Sequence, residues 1–217
     1  MIRIPKENPE LSLLKRIQTK VRYGLTMFNI NNLIAKKIGM AFTPYILFQE
    51  GINFPEITEF KRLPAEYSFE MLGPEDMKII GTLDGGFPVE GLLARLYKGE
   101  NCIGLKHNDE IAAFMWINFK EYSGYYSKPI HLKNNEAYLR SMYTVKSYRG
   151  KNFAPYLRYK SYEILKEMGR DVLYSISDYF NSPAVNFKKK LNAKKLKIML
   201  YIKLSDKLSW NFTLKSF

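Results

Sequence analysis

The sequence predicts a mixed α/β (α+β) protein in which helices flank a central β-sheet. Residues 101–106 and 111–119 are rich in branched and aromatic side chains, and the polar stretch 107–110 between them predicts an antiparallel hairpin. From residue 136 to residue 204 the pattern alternates strand, helix, strand, helix and strand. Hairpins followed by this alternation indicate a mixed sheet.

The first 65 residues predict a basic helical N-terminal extension. Within residues 9–38 apolar side chains recur at helical spacing, while most lysines and arginines lie off that stripe, so two helices are expected. The stripe comprises Leu14, Ile17, Val21, Leu25 and Phe28. Residues 42–48 predict a strand. A polar connector then leads to a change of pattern near residue 65, so we predict an extension, residues 1–65, and a domain, residues 66–217.

Short elements open the predicted domain. Residues 67–72 predict a strand, and Pro74 opens a helix whose first turn also holds Glu75 and Asp76. Proline suits the first helical position, and carboxylates there are stabilised by the helix dipole. A glycine-rich loop and a short helix, residues 89–98, precede the hairpin.

The remaining elements follow in a regular order. Segments with a strand pattern alternate with segments with a loop or helix pattern. Gly169 marks the end of the longer helix, because glycine is favoured directly after the C-terminus of a helix. The predictions are a strand at 136–145, a helix at 154–168, a strand at 172–177, a helix at 184–191 and a final strand at 197–204.

The formal net charge of +13 is concentrated in two segments. Residues 1–40 carry eight Lys/Arg against two Glu, and residues 186–217 carry nine Lys against one Asp. Such segments bind nucleic acid, an anionic membrane surface, an acidic carrier protein or a polyphosphate cofactor. A solvated lysine-rich surface is the alternative interpretation.

Cysteine content and hydropathy indicate the compartment. The single cysteine, Cys102, excludes an internal disulfide and any cysteine-rich metal site. The N-terminus lacks a secretory pattern, and no apolar run approaches the roughly 18 residues that a membrane span needs. We therefore expect a cytoplasmic protein without a metal site.

A basic, glycine-containing loop between the strand at 136–145 and the following helix has the pattern of an anion site, although many surface turns have the same pattern. Backbone N–H groups and the positive end of the helix dipole meet at such a junction and bind phosphate or pyrophosphate. Arg149 and Lys151 would add positive charge.

This loop resembles the acetyl-CoA loop of the GNAT superfamily of N-acetyltransferases, whose pattern is Val-x-x-Tyr-Arg-Gly-x-Gly-x-Gly/Ala. The positions that match are Val145, Tyr148, Arg149, Gly150 and Ala154. Asn152 replaces the second glycine of the pattern, and asparagine is the other residue that best tolerates a positive φ. The loop is therefore expected to keep its shape.

A second resemblance lies downstream at the distance found in the family. Asn181, Ala184, Phe187 and Leu191 fit the frame of the family's fifth core strand and the helix after it. Lys188 occupies the position where many members carry a tyrosine that protonates the departing CoA thiolate. The resemblance extends from residue 67 to residue 204 and implies a mostly antiparallel central sheet.

The resemblance also implies acetyl-CoA as co-substrate. Backbone groups of the fourth core strand would hold the thioester, between splayed fourth and fifth strands. The predicted cofactor-binding residues are Tyr143, Thr144, Val145, Arg149, Gly150, Lys151, Asn152, Phe153, Ala154 and Asn181.

Three residues are candidates for proton transfer during direct attack by an amine. Asp178 and Glu136 lie near the relevant strands and would act as general base, although solvated carboxylates at strand ends are the alternative. Lys188 is the candidate acid, although the sequence favours a phosphate-facing or solvent-facing lysine at this position. Both histidines, His107 and His131, are expected at the surface.

Several functions fit these residues. The leading hypothesis is acetyl transfer from acetyl-CoA to a primary amine of a small molecule, such as an amino sugar or an amino acid. An N-acyltransferase that uses acyl carrier protein would explain the basic ends of the chain. A CoA-binding protein without activity and a non-enzymatic nucleic-acid-binding module are further alternatives, but the aromatic residues are not interleaved with the basic runs as a stacking surface would require.

Overall fold

The computed structural model describes residues 39–52, 66–122, 129–205 and 208–217, together with residues 30 and 33. The predicted basic helices of residues 9–38, those two positions apart, lie outside the described residues. The boundary predicted near residue 65 also falls at the edge of a range that is not described.

The described elements follow the predicted order closely. Each predicted element within the described residues has bounds within a few residues of those expected, whereas the strands Glu121–Tyr122, Ile130–His131 and Ser209–Ser216 were not predicted. The strands are β1 Ala41–Glu50, β2 Tyr67–Leu72, β3 Asn101–His107, β4 Glu110–Asn118, β5 Glu121–Tyr122, β6 Ile130–His131, β7 Glu136–Thr144, β8 Val172–Asp178, β9 Lys194–Lys203 and β10 Ser209–Ser216. The helices are α1 Pro74–Gly81, α2 Val89–Tyr97, α3 Phe153–Glu167 and α4 Ser182–Lys190.

Eight of the described strands form one mixed sheet in the order β10-β9-β1-β8-β7-β4-β3-β2. Neighbours are antiparallel except β7 and β8, which run parallel. The predicted mixed, mostly antiparallel sheet flanked by helices is thus confirmed. Among the described helices, none has both the length and the apolar character that crossing a bilayer requires.

The strand β1 belongs to this sheet although the sequence places it in the N-terminal extension. It lies between β8 and β9, with Tyr45 opposite Asp178 on one side and opposite Met199 on the other. Residues 41–50 therefore share the sheet of the predicted domain. The division of the chain at residue 65 stays a prediction.

Two local predictions are wrong. The strand at 197–204 is not the last, because β10 follows and pairs with β9 along Trp210 and Phe212. The hairpin between β3 and β4 has a two-residue loop instead of a four-residue one, since His107 pairs directly with Glu110. Asn108 and Asp109 adopt φ values of 46° and 66°, as a tight primed turn requires.

Helices cover both faces of the sheet. Successive strand residues point to opposite faces, so Cys102 packs with the α1–α2 layer and its neighbour Ile103 packs with the α3 layer. Trp116 is fully buried under α2, and Leu139 is fully buried under α3. The sheet is therefore held between two apolar layers.

Strands β7 and β8 pair only at their beginnings, and this creates an opening in the sheet. Their register runs through three residue pairs and ends at Tyr138 opposite Tyr174. Just beyond, β7 forms a bulge against β4, where Ser141 takes a φ of 52°. A bulge bends its strand away from the regular ladder. As a result, the second half of β7 diverges from the second half of β8.

Candidate active site

A cleft of about 520 Å³ occupies the space between the diverging strands. Its walls are the end of β7, the β7–α3 loop with the start of α3, the end of β8 and the inner side of α4. Of the residues predicted as cofactor-binding or catalytic, it is lined by Tyr143, Thr144, Arg149, Gly150, Asn152, Phe153, Ala154, Asp178, Asn181 and Lys188. Val145, Lys151 and Glu136 are not among the lining residues.

The loop before α3 has the conformation that an anion site needs. Asn152 adopts a left-handed conformation with φ 60° and ψ 18°, as expected for the residue that replaces glycine. Gly150 also has a positive φ, 82°, and no atom lies within 4 Å of the position that a Cβ would take there. Helix α3 then begins at Phe153, so the N–H groups of its first turn have no intrahelical acceptor. Phe153 and Ala154 of this turn line the cleft together with Gly150 and Asn152.

Not every amide of the predicted loop is free for an anion. The N–H of Arg149 donates to the carbonyl of Lys146 at 3.3 Å, and the N–H of Val145 donates to the carbonyl of Ala112 at 2.9 Å. Pro155 has no N–H. The amides that remain for a ligand belong to residues 150–154.

The side chain of Arg149 is directed across the cleft entrance. Its Nε donates to the carbonyl of Thr144 at 3.0 Å, and its guanidinium carbon lies 5.6 Å from the centroid of the Tyr143 ring. Lys151 instead lies outside the lining, with Nζ 5.3 Å from the ring centroid of Tyr148. Of these two cations of the loop, Arg149 lines the cleft and Lys151 does not.

Asn181 has a structural task at the other wall. Its side-chain Oδ1 accepts from the N–H of Ala184 at 3.3 Å and caps the start of α4. An N-terminal cap of this kind satisfies a helix amide that otherwise has no acceptor. Asn181 thus fixes the position of α4 beside the cleft.

The floor of the cleft contains a buried ionic cluster formed by Glu50, Arg158 and Lys188. Lys188 Nζ lies 3.7 Å from Glu50 Oε1 and donates to the carbonyl of Ile176 at 3.1 Å. Arg158 Nε lies 3.3 Å from Glu50 Oε2. The hydroxyls of Ser175 and Tyr162 also donate to the Glu50 carboxylate. One carboxylate on β1 therefore holds two cations and two hydroxyls from three other elements, α3, α4 and β8.

This cluster corrects the prediction for Lys188. The sequence favours a lysine that faces solvent or phosphate, but only 2% of the Lys188 side chain is exposed. Burial lowers the pKa of its ammonium group to about 7, against the opposing attraction of Glu50. Burial also raises the pKa of Glu50, but Arg158 and Lys188 outweigh it and hold that pKa below its usual range. Lys188 is turned inward because it lies on the side of α4 that packs on the sheet.

The sequence analysis did not find Glu50 or Arg158. The signal for Arg158 was present, since it falls on the inward stripe of α3 beside Leu157 and Leu165, where a charged residue is unexpected. Glu50 is the last residue of the apolar strand β1, and its sequence position gives no indication that its side chain is buried. Its partners lie more than 100 residues further along the chain.

Asp178 also departs from the solvated strand-end carboxylate considered as its alternative. It lies at the end of β8 with 9% of its surface exposed, and it lines the cleft. Burial raises the pKa of its carboxyl group to about 6, against a smaller effect of a backbone hydrogen bond. A buried carboxylate with this pKa suits proton transfer near neutral pH.

Glu136 is not brought together with the other candidates. It pairs with Val172 at the start of β8, six residues before Asp178, which corresponds to about 20 Å along the strand. Its Oε2 accepts from the N–H of Lys133 at 2.8 Å, and its carboxylate also contacts Tyr174. The structure therefore separates Glu136 from the cleft between β7 and β8.

Tyr148, which matches the tyrosine of the loop pattern, packs against His107. Tyr148 Oη donates to Glu110 at 3.2 Å and lies 3.1 Å from Nδ1 of His107. His107 is half-buried and stacks on Tyr67, so the expectation of a surface histidine is wrong there, whereas His131 is exposed. Within the described part of the chain, no group of three or more His, Cys, Asp or Glu residues is placed to hold a metal ion.

The sequence is similar to that of a known protein family. The model of the acetyltransferase (GNAT) family matches residues 57–192. A comparison with curated proteins gives no match.

Several solved structures have a similar fold. A putative GNAT-family acetyltransferase from Novosphingobium aromaticivorans has a TM-score of 0.51 at 16% identity. The match covers 75% of this chain and 65% of that protein's chain. A GNAT-family acetyltransferase from Colwellia psychrerythraea has a TM-score of 0.53 at 14% identity, with coverages of 81% and 57%. A tandem GNAT protein from the clavulanic acid biosynthesis pathway has a TM-score of 0.55 at 12% identity, with coverages of 86% and 59%.

This chain thus spans between 57% and 65% of the length of those three proteins, and at such identities the likeness concerns the fold. The family model, by contrast, matches more than half of the sequence and includes the β7–α3 loop. The chain therefore belongs to the acetyltransferase (GNAT) family.

Proposed function

We propose that this protein transfers an acetyl group from acetyl-CoA to a primary amine of a small molecule by direct attack. The observation that carries this proposal is the continuity of one cleft. It joins the amides at the start of α3 to the buried Asp178 through the gap between β7 and β8. A donor with an anionic end and a narrow acyl-bearing arm fits such a cleft.

The anionic end of acetyl-CoA would lie on the β7–α3 loop. The amides of residues 150–154 and the dipole of α3 favour a pyrophosphate there, and the Arg149 guanidinium adds a charge-assisted contact. The pantetheine arm would then follow β7 along Tyr143 and Thr144 into the gap. This path places the thioester near the end of β8.

The reaction requires a neutral amine and an acceptor for its proton. The amine nitrogen forms a bond to the thioester carbon, the C–S bond breaks, and the ammonium proton passes to the Asp178 carboxylate. With a pKa of about 6, Asp178 is mostly ionised at neutral pH and able to accept that proton.

Lys188 would protonate the departing thiolate. With a pKa of about 7, a large share of its side chains carries a proton at neutral pH, and the proton is given up more easily than from an ordinary lysine. Its Nζ is fixed by Glu50 and by the carbonyl of Ile176, a residue that lines the cleft. Lys188 thus takes the role that a tyrosine has at this position in many relatives.

Binding and turnover test the proposal separately. Acetyl-CoA at millimolar concentration is expected to raise the melting temperature, because a ligand of the native state stabilises it by mass action. Release of free CoA on addition of an amine then reports transfer. Absence of both a thermal shift and a calorimetric signal would refute acetyl-CoA as the donor.

A second candidate donor is an acylated carrier protein. Four lysines on α4 and β9 are exposed, namely Lys189, Lys190, Lys194 and Lys197. A positive surface of this kind attracts an acidic partner and raises its association rate. Comparing CoA release from acetyl-CoA with transfer from acetylated carrier protein, at low and high salt, decides between the donors.

A cytoplasmic location is part of this proposal. Its support is the cysteine content, because the chain has one cysteine, Cys102, and its side chain is buried. Fractionation of cells that produce the protein checks the location.

A further inference from the structure

A second cavity of about 460 Å³ lies on the sheet face opposite α3. Tyr174 marks that face, since its neighbour in sequence, Leu173, packs in the α3 layer. Strands β1, β8 and β9 form the floor, and the β5–β6 pair borders one side. This cavity has no part in the acetyl-CoA site described above.

One residue that lines the cavity, Tyr45, is paired with Asp178. The two residues are directly opposite each other in the pairing of β1 with β8. Opposed residues in antiparallel strands point to the same face, with Cβ atoms about 5 Å apart. Asp178 lines the cofactor cleft and Tyr45 lines the second cavity, so this residue pair adjoins both cavities. An amine at the near end of the second cavity would meet both the base and the thioester.

The lining of the cavity is mostly apolar. Its aliphatic side chains are Leu47, Ile130, Leu132, Leu196 and Met199, and its aromatic rings are Tyr45, Tyr122 and Tyr174. Tyrosine faces also attract a cationic amine before it loses its proton. The walls therefore suit an amine attached to a hydrocarbon body.

The polar atoms of the lining already bind each other. Tyr45 Oη donates to Asn211 Oδ1 at 3.0 Å, and Tyr174 Oη contacts Glu136 Oε1 at 3.4 Å. Burial, with a smaller effect of Tyr122, raises the pKa of Tyr45 to about 12, so this hydroxyl stays a neutral donor. A sugar placed here would exchange water for apolar walls at most of its hydroxyls, which is unfavourable. The lining also contains three exposed side chains, His131, Lys133 and Lys197, and the half-buried Glu136, whose carboxylate accepts from the N–H of Lys133 and contacts Tyr174.

We propose that this cavity is the acceptor site and that it takes a primary amine with an aromatic or aliphatic body, in preference to an amino sugar or an amino acid. The proposal rests on the acetyl-transfer function given above. Its volume is within the range of about 300–1,000 Å³ that is typical of small-molecule sites.

A set of three acceptors tests the substrate class with the wild-type protein. 2-Phenylethylamine, phenylalanine and glucosamine are compared by kcat/KM at saturating acetyl-CoA, with CoA release as the readout. The first two differ only by a carboxylate, so they show whether the exposed lysines recruit an amino acid. We expect 2-phenylethylamine to exceed each of the others by at least about tenfold, as apolar pockets discriminate by such factors.

A pair of variants locates the site. Met199→Trp places an indole ring in the cavity. The control Leu200→Trp adds the same ring to the opposite face of β9. Leu200 pairs with Pro44 on β1 and with Phe212 on β10. Met199→Trp should raise the KM for 2-phenylethylamine at least about tenfold and leave the KM for acetyl-CoA unchanged. Leu200→Trp should change neither constant.

Each outcome has a defined meaning. Higher kcat/KM for glucosamine or phenylalanine overturns the substrate class, and an unchanged amine KM in a folded Met199→Trp variant overturns the location. If the variant does not fold, the acceptor series on the wild-type protein still decides the substrate class. Binding of acetyl-CoA in the thermal-shift assay with no acetylation of 2-phenylethylamine refutes this inference alone, whereas no binding of acetyl-CoA refutes the proposed function as well.

Discussion

Two basic side chains of the β7–α3 loop differ in their position relative to the cleft. Arg149 and Lys151 lie two residues apart on the same loop, but only Arg149 lines the cleft and is oriented by the carbonyl of Thr144. Charge alone would make them equivalent. In the proposed binding mode, this orientation makes Arg149 the residue expected to contact the pyrophosphate.

Arg149→Ala is expected to raise the Kd for acetyl-CoA about tenfold, the effect of losing one charge-assisted hydrogen bond. Isothermal titration calorimetry measures it. The matched control is Lys151→Ala, which removes the same charge from the same loop and should leave the Kd nearly unchanged. Equal losses for both variants would mean that only the net charge of the loop matters.

Asp178→Asn is expected to lower kcat by about 10²- to 10⁴-fold, the usual contribution of a general base, with little change in acetyl-CoA binding. In the wild-type protein the rate should fall as the pH drops through about 6, because a protonated Asp178 cannot accept the proton of the amine. A pH profile of kcat/KM for the wild type and variant checks both statements. If the acid limb near pH 6 persists in the variant, another group is the base.

Glu50→Gln is expected to reduce the free energy of unfolding by about 3–5 kcal/mol, because two buried cations would lose their counter-ion. Urea denaturation at pH 7 measures the change. The control is Glu75→Gln, which removes one exposed partner of Lys78 and should alter stability by less than about 1 kcal/mol. Similar values for the two variants would show that the buried cluster adds no more than a surface ion pair.

At the scale of elements, the junction between β7 and α3 depends on two residues with positive φ. Gly150 and Asn152 turn the chain so that the start of α3 lines the cleft. The bulge at Ser141 has a complementary effect, since it moves the end of β7 away from β8. The loop and the bulge together form the two ends of the proposed cofactor path.

Gly150→Ala is expected to destabilise the protein by about 1–2 kcal/mol through its left-handed backbone alone, since no atom would contact the new Cβ. Thermal unfolding monitored by circular dichroism measures the effect. Asn152→Gly is the matched change at the other left-handed position and should be neutral within a few tenths of a kcal/mol. A neutral Gly150→Ala variant would indicate that the loop adopts another conformation in solution.

At the scale of the whole molecule, the sheet unites distant parts of the chain. Strand β1 follows directly after the segment predicted to form basic helices, and it is hydrogen-bonded on both sides within the sheet. Exposed Phe42 on β1 and exposed Trp210 on β10 flank Ile202 on one face. Residues 41–50 are therefore held inside the sheet, between β8 and β9.

Residues 9–38 are predicted to dock on the rest of the protein, because covering apolar side chains stabilises by about 25 cal/mol per Å² of apolar surface. Limited trypsin proteolysis without lipid is expected to spare the bonds between Lys15 and Lys37. Rapid cleavage there, with a stable remaining core, would exclude docking. Binding of the released fragment to anionic vesicles would then favour contact with a membrane surface.

The sequence by itself determined the order of the elements, the mixed sheet and the β7–α3 loop. These features depend on residues that are neighbours along the chain, such as the strand-to-helix change after Val145 and the left-handed position of Asn152. The resemblance to the acetyltransferase family rested on the same local patterns, and the match to its model confirmed it.

Only the tertiary structure decided the chemistry of the cleft. Glu50 meets Arg158 and Lys188 across more than 100 residues, and the burial of Asp178 results from packing that no local pattern records. The pKa of a buried group depends on desolvation and on the charges that distant segments bring near it. For that reason the sequence named Lys188 and Asp178 as candidates, whereas the fold gave them the protonation behaviour that the proposed reaction requires.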